Sequence, residues 1–154
     1  MNQQNQRSEP HAYTLHLTVG THSARHVRRI VHTLCADWSV PAGVRDDVAL
    51  GVTELLSNVV RHVPGSRAVV RLRHDPDAGR VRVEVTDEGP PFPLRLPGPA
   101  DPYEESGRGL ALVAAVTEKW GVQLLPAGKA VWFECAQAPV PQESGPLARA
   151  NPCG

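Results

Sequence analysis

The sequence predicts an α/β fold, a two-layer sandwich in which three helices cover one face of a mixed sheet of about five strands. Three observations carry that prediction. Runs with a two-residue apolar period occur once near the N-terminus and later as two closely spaced pairs, which reads as a lone strand and two hairpins. Two runs with a helical period lie between the lone strand and the first hairpin. Adjacent hairpins exclude a doubly wound parallel sheet, whose strands need long crossovers.

Residues 1–11 are polar and are expected to form a disordered N-terminus ahead of a domain spanning 12–137. "AYTLHLTV" alternates Tyr13, Leu15, Leu17 and Val19 with smaller or polar residues, the pattern of a half-buried strand. "GTHSARHVRRIVHTLCADW" follows, with Thr21 or Ser23 as a start signal and Ala24, Val27, Ile30, Val31 and Leu34 at helical spacing. Pro41 and Gly43 punctuate. A second helix should run from about Val44 to Val63, carrying Val48, Val52, Leu55, Leu56 and Val59, until Pro64-Gly65 ends it.

"RAVVRLRHD" and "RVRVEVTD", joined by "PDAG", predict a β-hairpin. The stretch over about 89–107 is broken throughout by prolines, and a loop of that size inside a domain is usually either a functional lid or disordered. "RGLALVAAVTEKW" then reads as the third helix, and "GVQLLPAGKAVWFECA" as a second hairpin turning at "PAGK". Residues 138–154 lose all periodicity and are expected to be a disordered tail.

Composition narrows the function classes. The 16 basic residues balance 16 acidic ones, so no global charge points to nucleic acid. Lys119 and Lys129 are the lysines among them. No stretch approaches the ~20 apolar residues of a membrane span, and "MNQQNQRSEP" lacks the apolar core of a secretory signal. A cytoplasmic location is expected. Cys35, Cys135 and Cys153 form no CxxC pair, which argues against a zinc site or a disulfide framework. Two core cysteines and one tail thiol are the expectation.

Three segments carry candidate chemistry. "TELLSNVVRH" places Glu54 and Asn58 one helical turn apart, with Arg61 and His62 a further turn along. "TDEGPP" ends a strand on Asp87 and opens the long loop at Gly89. "ESGRGLAL" puts Gly107, Arg108, Gly109 and Leu110 at a helix N-terminus. Singly, each is explained by a solvent-edge carboxylate, a common turn or a flexible helix start. Together they describe a nucleotide site. Glycines at a helix N-terminus leave N–H groups free and close for a phosphate chain. An Asp at a strand end can accept a hydrogen bond from the adenine amine. An Asn offers a neutral oxygen to Mg²⁺, and a Glu one turn away can orient or deprotonate an attacking hydroxyl or water. No P-loop occurs, "GRGLAL" lacks a third glycine, and the protein-kinase motif set is missing.

"ELLSNVVRH", "VTDEGPP" and "ESGRGLALV", in this order, resemble the N, G1 and G2 boxes of the GHKL (histidine kinase-like) ATPase superfamily. The chain most resembles its small stand-alone domains of the anti-sigma factor serine kinase type, from about residue 14 to residue 136. "ARHVRRIVHTLCADWSVP" and "GKAVWFEC" are similar to that subgroup's first helix and final strand. The resemblance implies the Bergerat fold, with ATP and Mg²⁺ as cofactors. It implies Glu54 as general base, Asn58 as the Mg²⁺ ligand, and Asp87 as the adenine reader with Gly89 beside it. Gly107, Arg108, Gly109 and Leu110 match the segment that wraps the phosphates. Two positions depart from the pattern: Pro91 stands where G1 has its second glycine, and Ala130 where members often carry a threonine that assists adenine binding.

The implied activity is phosphorylation of a serine or threonine on a partner protein, by analogy an anti-sigma factor antagonist, with a sigma factor as client. A homodimer is plausible by the same analogy. The alternative is an ATP-gated interaction module with little or no catalysis; plain ATP hydrolysis is a third reading. His26 and His32 lie on the first helix, but too few residues precede it for the phosphoacceptor hairpin of a sensor kinase. His62 suits a capping or surface role as well as a role near the site.

Overall fold

A computed structural model describes residues 9–90, 113 and 117–136. Its elements are β1 (His11–Thr18), α1 (Ser23–Asp37), α2 (Ala42–His62), a 3₁₀ turn (Pro64–Ser66), β2 (Arg67–Asp75), β3 (Arg80–Asp87), β4 (Lys119–Leu125) and β5 (Gly128–Ala136). The strands form one sheet in the order β1-β2-β3-β5-β4, with both helices against one face. This is the predicted two-layer α/β sandwich.

The expected mixed sheet is corrected: every ladder is antiparallel. The reason is strand adjacency. β3 and β4 do run the same way, but β5 lies between them and pairs with both. At the other end the α1–α2 pair returns the chain to where β1 stopped. A hydrogen bond from the Val19 amide to the Ser66 carbonyl, 2.7 Å, joins the end of β1 to the start of β2.

The helix count is corrected too. The described residues hold two α-helices where three were expected. The third expectation falls mostly outside them, apart from Val113, which is helical, buried, and accepts a hydrogen bond from the Thr117 amide. Lys119 and Trp120 belong to β4, not to that helix. Trp120 and Val122 lie opposite Phe133 and Val131 of β5, so a two-residue period takes over there.

The inner face of the sheet carries Ala68, Val70 and Leu72 of β2, Val81, Val83 and Val85 of β3, and Val131 and Phe133 of β5, all buried. Onto it α1 sets Val27, Val31 and Cys35, and α2 sets Val48, Val52, Leu55, Leu56 and Val59. Burying each such side chain stabilises the fold by about 1.5–3 kcal/mol relative to exposing it. Burial pushes the Cys35 thiol up to about 11, against a smaller opposing pull from Arg45. It pushes Cys135 up to about 12, helped by the charges of Asp47 and Cys35. Both are inert core residues, as expected.

Boundaries follow local chemistry. Ser23 Oγ accepts the Gly20 N–H at 2.8 Å, closing the turn before α1, although His22 is the capping residue. At the end of α1 the Val40 amide reaches back to the Cys35 carbonyl, 2.8 Å, around Ser39 at φ 58°. That is the Schellman pattern with serine in place of the usual glycine. α2 stops before Pro64, and Gly65 takes φ 74°. β1 is an edge strand and covers less than its pattern promised: Tyr13 is 39% exposed, and Leu15 and Leu17 are half-buried.

Candidate functional site

The site begins with the margin of α2. Val52, Leu55, Leu56 and Val59 are buried, and Glu54 and Asn58 run beside them, half-buried and one turn apart. Neither is a core residue forced inside, and neither is fully solvated. Arg61 and His62 follow in the last turn, where positive charge complements the helix dipole, and His62 is exposed.

The second part is the end of β3. Asp87 is 6% exposed, buried like the valines before it. Its Oδ1 accepts the Gly89 N–H at 2.8 Å, a tight turn that folds the chain back over the carboxylate. A Cβ on Gly89 would come within 2.7 Å of Val63 Cγ2 and 2.9 Å of Asp87 Oδ1. The glycine is therefore required by close packing around the carboxylate. Val63 follows α2 directly, so this contact also joins the C-terminal end of α2 to the C-terminal end of β3.

The third part was not foreseen. Lys129 of β5 is also 6% exposed, and its Nζ donates to Asp87 Oδ1 at 2.9 Å. A longer contact of 3.4 Å runs from the same ammonium to the Pro90 carbonyl. Asp87 and Lys129 are direct partners in the β3–β5 ladder, so their side chains leave the sheet on the same face. Gly128, at φ 151°, lets the turn approach closely, since a Cβ there would collide with the Asp87 carbonyl oxygen. A buried pair of this kind contributes little net stability, because desolvation offsets its Coulomb attraction.

The register also revises the reading of Ala130. It lies opposite Thr86, on the other side of β5 from Lys129. A hydroxyl at position 130 would point away from Asp87, and the side chain facing the carboxylate is the lysine. Only the pairing of strands far apart in sequence reveals this. The available signal was the short run "GKAV" beside the hairpin turn.

The structure thus brings Asp87 and Gly89 together and places Glu54 and Asn58 on one flank of α2, whose end meets Gly89 through Val63. Gly107, Arg108, Gly109 and Leu110, the loop expected over about 89–107 from Pro91 onward, and both expected disordered termini apart from residues 9–11 lie outside the described residues. An open cleft of about 440 Å³ is lined by His16, Leu17, Thr18, Arg67, Thr86 and Asp87, among others. It meets the site only through Asp87 and its neighbours, and neither Glu54 nor Asn58 lines it. Among the described residues no group of three or more His, Cys, Asp or Glu side chains could hold a metal. A Mg²⁺ ion coordinated mainly by phosphate and water needs no such cage, and one carboxamide oxygen suits it. No helix among the described residues is long and apolar enough to cross a membrane.

Comparison with known proteins bears on the family and the fold. Residues 18–135 match the model of the histidine kinase-like ATPase domain, a span that contains every candidate residue named above. A Streptomyces coelicolor protein described only as uncharacterized is 46% identical over 89 residues, 57% of this chain and 84% of its own. The crystal structure of the RsbU and RsbW domains of Rv1364c from Mycobacterium tuberculosis is similar in fold. Its TM-score is 0.60 at 21% identity, over 80% of this chain and 32% of that one. The chain therefore spans about a third of that structure.

Proposed function

The chain belongs to the histidine kinase-like ATPase domain family, and from that premise we propose that it binds ATP with Mg²⁺ and phosphorylates a serine or threonine of a partner protein. One observation carries this reading. The contact of Val63 with Gly89 joins the end of α2, the helix that carries Glu54 and Asn58, to the end of β3, where Asp87 lies.

In this reading Asp87 accepts a hydrogen bond from the adenine amine, and Asn58 gives its carboxamide oxygen to Mg²⁺. Backbone N–H groups of Gly107, Arg108, Gly109 and Leu110 hold the phosphates. Glu54 takes the proton of the acceptor hydroxyl as its oxygen bonds to the γ-phosphorus. The bond to the β–γ bridging oxygen breaks, and ADP leaves. The partner by family analogy is an anti-sigma factor antagonist, with a sigma factor as the client. Incubation with γ-labelled ATP and candidate antagonists tests the reading, with Glu54→Ala as control. Phosphotransfer undiminished in that variant would remove Glu54 from the mechanism.

A second reading is favoured by the Asp87–Lys129 contact. The carboxylate expected to read adenine already accepts two hydrogen bonds, both on Oδ1. A nucleotide there joins a network that is already formed, which suits a module that binds ATP as a signal and changes its affinity for a partner. Calorimetry showing ATP binding with neither phosphate release nor transfer would select this reading.

A further inference from the structure

We propose that Lys129 is a base-reading residue, a hydrogen-bond donor to the ring nitrogen that flanks the adenine amine. This rests on the ATP-binding reading and extends it to a residue outside the three motifs. The first support is geometry. Asp87 and Lys129 are ladder partners on one face of the sheet, and their charged ends meet at 2.9 Å. The backbone therefore fixes an acceptor beside a donor. Adenine presents the complementary pair, an amine donor next to a ring-nitrogen acceptor, on both of its hydrogen-bonding edges. One such edge can engage both groups together, the amine on the carboxylate and the ring nitrogen on the ammonium.

The second support is donor capacity. An ammonium carries three N–H donors. The bond to Asp87 uses one, and the contact with the Pro90 carbonyl, at 3.4 Å, is longer than an ordinary hydrogen bond. The third is burial. Lysine is almost never fully buried without a reason, and a buried pair is replaceable by apolar residues at little cost in stability. Here Gly89 keeps a side chain away from the pair. A Cβ at position 89 would come within 3.2 Å of Lys129 Nζ.

The test is a chemical double-mutant cycle on the full chain. Wild type, Lys129→Met and Lys129→Arg are titrated calorimetrically with ATP, 1-deaza-ATP and 7-deaza-ATP, and thermal unfolding of each variant is recorded. In wild type, removing the contacted ring nitrogen should weaken binding about tenfold or more, while the other analogue binds like ATP. Lys129→Met should bind ATP about tenfold more weakly and no longer distinguish the sensitive analogue. If that variant does not fold, Lys129→Arg serves, because it keeps the charge and moves the donors, and its ratio for the two analogues should change. Equal weakening for all three nucleotides in the variants, or no weakening, overturns the proposal. Failure of wild type to bind ATP at all instead overturns the ATP-binding reading beneath it.

Discussion

Gly51, in the middle of α2, lies directly against the ring of Phe133 on β5: a Cβ on the glycine would stand 2.8 Å from ring carbon Cε1. The helix can approach the sheet here only because the residue has no side chain. Two effects compete in Gly51→Ala. Alanine is the better helix former by about 1 kcal/mol. Overpacking a fully buried ring costs about 1–3 kcal/mol, and Phe133 is completely buried. The clash should win, so the urea midpoint falls with an unchanged m-value. A Gly51→Ala protein at least as stable as wild type would show that the ring can move aside.

The buried pair makes a second prediction, about stability without function. Asp87→Leu leaves the Lys129 ammonium buried without its carboxylate and should cost about 3–5 kcal/mol. Adding Lys129→Met removes the orphaned charge and should recover most of that loss. Urea unfolding of both single variants and of the double variant measures the cycle. The double variant should fold and still bind no ATP. Nucleotide binding by a folded double variant would remove Asp87 from base recognition.

His74 supplies a pH dependence. It is 3% exposed and stacks with both His11 and Trp38, at centroid distances of 5.6 and 6.0 Å. Its Nδ1 is 3.4 Å from that of His11, while its Nε2 is buried with no hydrogen-bond partner among the described residues. Burial pushes its pKa below the usual 6.5, the nearby His11 adds to this, and Asp75 opposes it. In the unfolded chain the ring protonates first, so between the two pKa values the unfolded state binds more protons. Stability is therefore full above about pH 6.5 and falls below it, by at most about 1.4 kcal/mol per pH unit. His74→Phe should keep the stacking and flatten the urea-midpoint profile below about pH 6.5. An unchanged slope in that variant would assign the effect to other groups.

How much of this was legible in the sequence depends on how far each feature reaches along the chain. Glu54 and Asn58 were readable because helical spacing sets them on one flank, and Asp87 with Gly89 because a strand ends there in a tight turn. Lys129 was not readable, since its meaning lies in a pairing with a residue 42 positions away. The antiparallel sheet was missed for the same reason: chain order does not say that β5 enters between β3 and β4. His74 falls in phase with Ala68, Val70 and Leu72, but nothing in the sequence says that His11 and Trp38 stack on it. Nothing in the sequence singles out Gly51, because only the sheet beneath α2 supplies the ring that excludes a side chain.

The two polar residues on the margin of α2 should separate binding from transfer. Both are half-buried and outside the apolar stripe, so their substitution leaves the packing of Leu55, Leu56 and Val59 intact. Stability should therefore change by no more than about 0.5 kcal/mol in either case. Asn58→Ala removes the carboxamide oxygen offered to Mg²⁺. Wild type should bind ATP more tightly with Mg²⁺ than without it, and this variant should lose that difference while keeping the metal-free affinity. Glu54→Gln keeps the side chain's size and removes its ability to accept a proton. It should bind Mg–ATP about as tightly as wild type and transfer phosphate at least about a hundredfold more slowly. Calorimetry with and without Mg²⁺, beside a single-turnover transfer assay, reads both effects on the same samples. An Asn58→Ala protein that keeps its full Mg²⁺ response would move the metal ligand elsewhere, and a Glu54→Gln protein at wild-type rate would leave that carboxylate without a role in proton transfer.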